Sequence, residues 1–375
     1  MRRPEWLAER GGTVEFLRLP AVVFGAVAGL RGRLYDAGVL PAAKLAVPVV
    51  SVGNLSTGGT GKTPCVALVC RALAARGRRP GILSRGYGAR EGETNDEARL
   101  LAAALPDVPH VADPDRVRGA ERLLTSSGCD VIVLDDGFQH RRLWRDLDLV
   151  LVDASRPWGL PAPQGGGAHV RAVLPRGLLR EAPRALSRAH ALVLTRVDQV
   201  DAADLASLRA ELEHWAPGVP QVCARHAPSG LRVLENARVA GAAGALSEDL
   251  PQPEDLAGLV GRDVDLVSGI GNPEAFARTV REVGANPCEV RALPDHHDFQ
   301  RQDLDGLGTA GRLVLTTEKD AAKLERLGPL PMAIAALGIE LSLVEGAGVF
   351  AALLDALRPG AKERERRSVH EGLHG

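Results

Sequence analysis

Short β-branched apolar runs alternate with stretches whose apolar residues recur at helical spacing along almost the whole chain. That alternation predicts an α/β fold built on mostly parallel strands. In the first run Val47, Val49, Val50 and Val52 give a short β-branched apolar stretch, as expected of a strand covered on both faces. A helix is predicted over Pro64–Arg76, a strand at Pro80–Ser84, a polar loop over Arg85–Asn95 and a helix over Glu97–Leu105. A strand near His110, a helix near Asp115–Ser126 and strands at Val131–Leu134, Leu147–Val152 and Ala191–Thr195 follow. A helix at Ala203–His214 and a strand near Val219–Ala224 close this first unit. From about Pro228 a Gly/Ala-rich stretch and a Pro/acidic segment (Glu248–Glu254) lead into a second alternation. It predicts strand Val264–Gly269, helix Pro273–Val283, strand Glu289–Ala292, helix Gln302–Leu307, strand Leu313–Thr317 and helix Ala321–Leu327. The expected organisation is an N-terminal helix (1–45), two α/β/α domains (46–227 and 228–358) and a charged, solvated tail (359–375).

At 375 residues the chain is long for one α/β core and comfortable for two. Its net charge of −1 provides no global field to recruit nucleic acid, and no obligate protein partner is expected. None of the five cysteines forms a C-x-x-C pair, which predicts buried thiols in a reducing compartment.

Near the N-terminus, Leu19–Leu30 carries no charge and is followed at once by Arg31 and Arg33. Twelve helical residues rise about 18 Å, short of the roughly 30 Å of bilayer hydrocarbon. A spanning helix is therefore not expected. Two readings remain: an interfacial helix with Leu19, Val23, Val27, Leu30 and Leu34 on one side, or a core helix packed on the sheet. Seven Lys/Arg against four Asp/Glu in the first 45 residues favour an anionic membrane surface in the first case.

Candidate chemistry begins where the first strand ends, in VGNLSTGGTGKT. Ser56, Thr57, Gly58, Gly59, Thr60 and Gly61 read as a phosphate-binding loop, with Lys62 a charge for the β- and γ-phosphates and Thr63 a hydroxyl for Mg²⁺. A helix opening there adds its positive end. The usual spacing would place glycine at position 56, where this chain has serine.

Downstream, strand 131–134 delivers Asp135-Asp136-Gly137 to its carboxyl end, where a carboxylate can hold magnesium opposite the loop hydroxyl. Phe138–Arg142 brings a histidine and two arginines to the same edge, to contact phosphate or to cap a turn. A kinase also needs a group to take the acceptor's proton. Asp96 starts a helix and reads equally well as an N-cap. His296, in PDHHDF, sits in a second-domain loop, and an Asp96–His296 pair would form an oriented base. Thr195–Asp198 ends a strand in a T-x-x-D pattern that weakly resembles the base-reading element of guanine-nucleotide switches.

Together these segments resemble the tetraacyldisaccharide 4′-kinases, the lipid A 4′-kinases of Gram-negative bacteria. The matching stretches include SVGNLSTGGTGKTP, SRGYG, DPDRVRGA, the long DDGFQHRRLWRDLDLVLVDASRPWG block, LPRGLLRE, SGIGNPEAF, PDHHDF and TTEKDAAKL, in order along nearly the whole chain. The resemblance accounts for Ser56 and implies ATP and Mg²⁺ as cofactors. It further implies that Lys62 and Thr63 serve phosphates and metal, that Asp135, Asp136 and Glu181 form the acidic group near the metal, and that Arg180 lies beside the phosphates. Asp96 resembles the family's catalytic aspartate, His296 its partner, and the N-terminal helix its membrane-associating element. The activity implied is transfer of the γ-phosphoryl of ATP to the 4′-hydroxyl of a tetraacyl glucosamine disaccharide 1-phosphate, at the cytoplasmic face of the inner membrane. The family usually reads VGDEP where this chain has Asn95-Asp96-Glu97, the loop before LPRG carries the extra Gln164–Gly167, and Arg176 replaces a small residue. The rival reading is a membrane-recruited ATPase or GTPase switch with a deviant phosphate loop.

Overall fold

A computed structural model describes residues 5–9, 11–86, 96–162, 169–234, 236, 256–295 and 297–357. The Gln164–Gly167 insert, the Glu248–Glu254 segment, His296 and the tail fall outside these, as does the side chain of Asp96. The described residues divide into two compact units, one within 5–225 and 341–357, the other within 226–340.

In the first unit the helices are α1 (Arg18–Asp36), α2 (Lys62–Ala74), α3 (Asp96–Ala104), α4 (Arg116–Ser127) and α5 (Ala202–Trp215). The strands are β1 (Val49–Asn54), β2 (Pro80–Ser84), β3 (His110–Ala112), β4 (Val131–Asp135), β5 (Leu147–Asp153), β6 (Ala191–Thr195) and β7 (Gln221–Val233), the last as far as Arg225. They are ordered β3-β2-β4-β1-β5-β6-β7 and all pair in parallel. β1 lies in the middle and is buried along its whole length, which is why its sequence runs apolar without alternating. On one face Val50, Val52, Val133, Leu149 and Val193 pack on Val66, Val69 and Leu73 of α2. Because β1 is flanked by β4 and β5, its carboxyl end opens the crevice in which open α/β sheets bind ligands.

The second unit contains β8 (Asp263–Ser268), α6 (Pro273–Glu282), β9 (Asn286–Ala292), β10 (Leu313–Thr317), α7 (Glu318–Leu324) and β11 (Ile334–Glu345). Its strands are ordered β11-β10-β8-β9, again in parallel. The predicted helix Gln302–Leu307 is only a 3-10 turn, Arg301–Leu304, closed by a capping box between Gln300 and Asp303.

Two features differ from expectation. Residues 341–357 belong to the first unit, through the end of β11 and α8 (Ala347–Asp355), neither of which the apolar pattern indicated. Leu341, Phe350, Leu354 and Leu357 bury in the same core as α2, and Arg76 pairs with Asp355 at 2.6 Å.

The N-terminal element is also longer than its uncharged core. A 3-10 segment and α1 run together over Gly12–Asp36, 25 residues, long and apolar enough by length and composition to cross a membrane. The helix therefore outruns the twelve residues of Leu19–Leu30 and is not too short to span, because Arg18, Arg31 and Arg33 continue it instead of ending it. Nor is α1 a core helix, for Ala21 is its single buried residue. Small residues make the contact: Gly25 approaches Val173, and Gly29 faces Arg184. The element leaves Phe16, Leu19, Val22, Val23, Val27 and Leu30 exposed, Phe16 being 81% exposed.

Candidate active site

The turn after β1 places Gly58 at φ 120° and Gly61 at φ 90°, backbone that favours glycine, and α2 starts at Lys62. Among the described residues the N–H groups of Gly58, Gly59 and Gly61 meet no protein acceptor. They are donors available to phosphate oxygens at a helix N-terminus. The rest of the loop is braced from behind. Thr57 donates from both its backbone N–H and its hydroxyl to the Leu178 carbonyl (2.8 and 3.3 Å), and buried Ser56 forms a β-bridge with Leu179.

Lys62 Nζ lies 3.3 Å from Asn54 Oδ1 and 3.7 Å from Asp136 Oδ1. Arg180 forks onto Asp136 with two 2.8 Å hydrogen bonds and also donates to both the carbonyl and the side-chain oxygen of Asn54. Asp136 itself has φ 53°, left-handed backbone that non-glycine residues rarely adopt. Burial pushes its carboxyl upward, but Lys62 and Arg180 outweigh that and hold it at about 2. It is therefore an anion throughout the working pH range. Asp135, at the end of β4, is buried.

The approach of these two turns is set by Gly53. A Cβ there would lie 2.7 Å from Cβ and 2.8 Å from N of Phe138, so no larger residue fits between β1 and the DDGF turn.

Glu181 stands elsewhere. Its two carboxylate oxygens are taken up by Arg188 at 3.0 and 3.2 Å, and Arg188 in turn covers the Phe138 ring at 4.5 Å. Among the described residues no group of three His, Cys, Asp or Glu is close enough to hold a metal ion. Asp135, Asp136 and Glu181 are thus not assembled as one ligand set, because the Arg188 fork satisfies Glu181. Magnesium at nucleotide sites needs only one or two carboxylates, the substrate phosphates completing its shell. Thr63, in the first turn of α2, and the Asp135–Asp136 pair fit that demand.

His140, from the FQHRR turn, is held near pH 4 by burial first and then by Arg116 and Arg31. A neutral imidazole there brings no charge to phosphate. Thr195 and Arg196, the weak guanine signal, have a structural use: Thr195 donates to the Thr60 carbonyl at 3.0 Å, and Arg196 pairs with Asp153 and reaches the Gly59 carbonyl. Asp198, the acid of the T-x-x-D pattern, is exposed.

Three contributors were missed in the sequence. Asn54 is fully buried and accepts from Lys62 and Arg180; the only hint was an asparagine closing a valine strand, where it is rare. Arg116 is buried beside the acidic pair, its charged form penalised by burial and supported by Asp135 and Asp136. The Asp153–Arg196 pair steadies the loop from β5 and β6. Of the proposed proton-transfer residues, Asp96 is the first residue of α3.

The family described as tetraacyldisaccharide-1-P 4′-kinase matches residues 14–358. The chain belongs to this family. A tetraacyldisaccharide 4′-kinase of Anaeromyxobacter dehalogenans (strain 2CP-C) is 41% identical over 383 residues, 93% of each chain. One from Syntrophus aciditrophicus is 34% identical, with 83% of this chain and 84% of that protein aligned. Among solved structures, LpxK from Aquifex aeolicus, crystallised in complex with ATP, superposes with a TM-score of 0.64 at 30% identity, covering 90% of this chain and 98% of that one. Family membership favours the kinase over the switch reading.

Proposed function

We propose that this chain transfers the γ-phosphoryl of ATP to the 4′-hydroxyl of a tetraacyldisaccharide 1-phosphate, giving lipid IVA in lipid A biosynthesis. The observation that carries this reading is the Lys62–Asp136–Arg180 cluster at the mouth of a phosphate loop whose Gly58, Gly59 and Gly61 N–H groups meet no acceptor among the described residues. Phosphoryl transfer asks mainly for positioning and charge neutralisation, and the cluster supplies both. Lys62 and Arg180 would neutralise the negative charge that gathers on the β- and γ-phosphates. Thr63, Asp135 and Asp136 would hold Mg²⁺, which neutralises the phosphate oxygens. Asp96 and His296 are proposed to draw the proton from the acceptor hydroxyl. The deciding assay is ADP release with and without the lipid acceptor. Release that depends on lipid is expected, whereas equal hydrolysis without lipid would return the nucleotide-switch reading.

The enzyme is proposed to work on the cytoplasmic face of the inner membrane, with α1 in the interface. Exposed Leu19, Val22, Val23, Val27 and Leu30, flanked by arginines, suit the boundary between acyl chains and anionic headgroups. Removing residues 1–40 is expected to abolish flotation with anionic vesicles and to raise KM for the lipid more than KM for ATP. Continued flotation of the truncated, folded protein would show that α1 is not the anchor.

A further inference from the structure

Arg176 lies in the LPRG segment four residues before Arg180, yet its guanidinium faces the N-terminal element. It is 3% exposed, and it donates to the Leu7 carbonyl at 2.7 Å, the Glu9 carbonyl at 2.9 Å and the Glu15 carboxylate at 2.9 Å. A buried charge with three acceptors is a directional tie that apolar packing alone does not provide. Around it Leu7, Ala8 and Val14 bury with Leu160, Val170 and Leu178. Gly25 and Gly29 of α1 leave room that a Cβ would take from Val173 and Arg184, so the N-terminal element lies close to this segment on both sides of Arg176.

Between Arg176 and Arg180 the backbone has little freedom. A Cβ on Gly177 would lie 2.1 Å from the Ala172 carbonyl oxygen. Leu178 accepts from Thr57, Leu179 bridges to Ser56, and the Arg180 N–H donates to the Leu55 carbonyl at 2.8 Å. A displacement at position 176 therefore reaches both the phosphate loop and the Arg180–Asp136 fork.

We propose that Arg176 is a positioning residue for phosphoryl transfer, fixing the Arg180-bearing segment and the phosphate loop against Leu7, Glu9 and Glu15 of the N-terminal element. The proposal rests on the kinase reading above. It makes the N-terminal element a support of the nucleotide site as well as a lipid contact. An angstrom of misplacement at a reacting centre costs about a hundredfold in rate.

The test compares full-length wild type with Arg176→Ala, Arg176→Lys and Glu15→Gln in mixed micelles of detergent and lipid acceptor. kcat, both KM values, affinity for a fluorescent ATP analogue, melting temperature and flotation with anionic vesicles are measured. For Arg176→Ala, kcat is expected to fall about tenfold to a hundredfold, with weaker nucleotide binding, unchanged lipid KM and unchanged flotation. Arg176→Lys should recover part of the loss, because it keeps the charge but not the fork. Wild-type kcat and ATP affinity in a folded Arg176→Ala protein would overturn the proposal, leaving the residue a stability contact. A change confined to lipid KM would overturn it too. Should Arg176→Ala not fold, Glu15→Gln decides, a smaller fall in kcat supporting the proposal and unchanged kinetics ending it. If wild type itself shows no lipid-dependent ADP release, the kinase reading fails separately. The nucleotide-affinity comparison still decides the positioning role.

Discussion

Lys62→Ala is expected to eliminate phosphoryl transfer while leaving a folded protein. The ammonium group sits at the start of α2, 3.3 Å from Asn54 and 3.7 Å from Asp136, and the core of that helix is made by Cys65, Val66, Val69, Cys70 and Leu73. Truncation thus removes a cation from the phosphate mouth and no core packing. Arg180 keeps its fork on Asp136, so that carboxylate is not stranded. Losing a phosphate-clamping charge typically costs several powers of ten, each about 1.4 kcal/mol of barrier. The measurement is single-turnover transfer beside a thermal melt. Wild-type turnover with an unchanged melt would remove the phosphate-loop assignment.

The second large effect is expected at Asp96 and His296. A hydroxyl attacking phosphorus must lose its proton, and a positioned base contributes roughly two to four powers of ten. Asp96→Ala and His296→Ala should each lower kcat by that order with ATP affinity little changed. If the two serve one proton transfer, with the carboxylate favouring the charged imidazole, the double mutant should be barely worse than the worse single. Multiplicative losses would mean independent roles. A normal kcat in His296→Ala would reduce that histidine to a loop residue.

Much of the site was legible because its chemistry is local. Gly58, Gly61, Lys62 and Thr63 are consecutive or nearly so, and a glycine-rich turn between a buried strand and a helix has few uses besides phosphate binding. Asp135 and Asp136 follow a strand for a similar reason. What each side chain pairs with was another matter. Glu181 adjoins Arg180 in sequence, yet Arg180 turns to Asp136 and Asn54 while Glu181 turns to Arg188. Adjacent residues at a chain bend diverge, and no periodicity encodes which way each one points.

The sequence by itself determined the alternating α/β architecture, the position of the phosphate loop, the acidic pair at the end of β4 and the family. Apolar runs and glycine turns express these through neighbours within a few residues. The tertiary structure alone decided the return of the end of β11 and of α8 to the first unit, the outward face of α1, the roles of Asn54 and Arg196 beside the loop and that of Arg116 beside the acidic pair. It also decided the burial of Arg176 against Leu7, Glu9 and Glu15. These depend on contacts between segments tens to hundreds of residues apart, where charge pairing and close packing select among partners that the local pattern leaves equivalent.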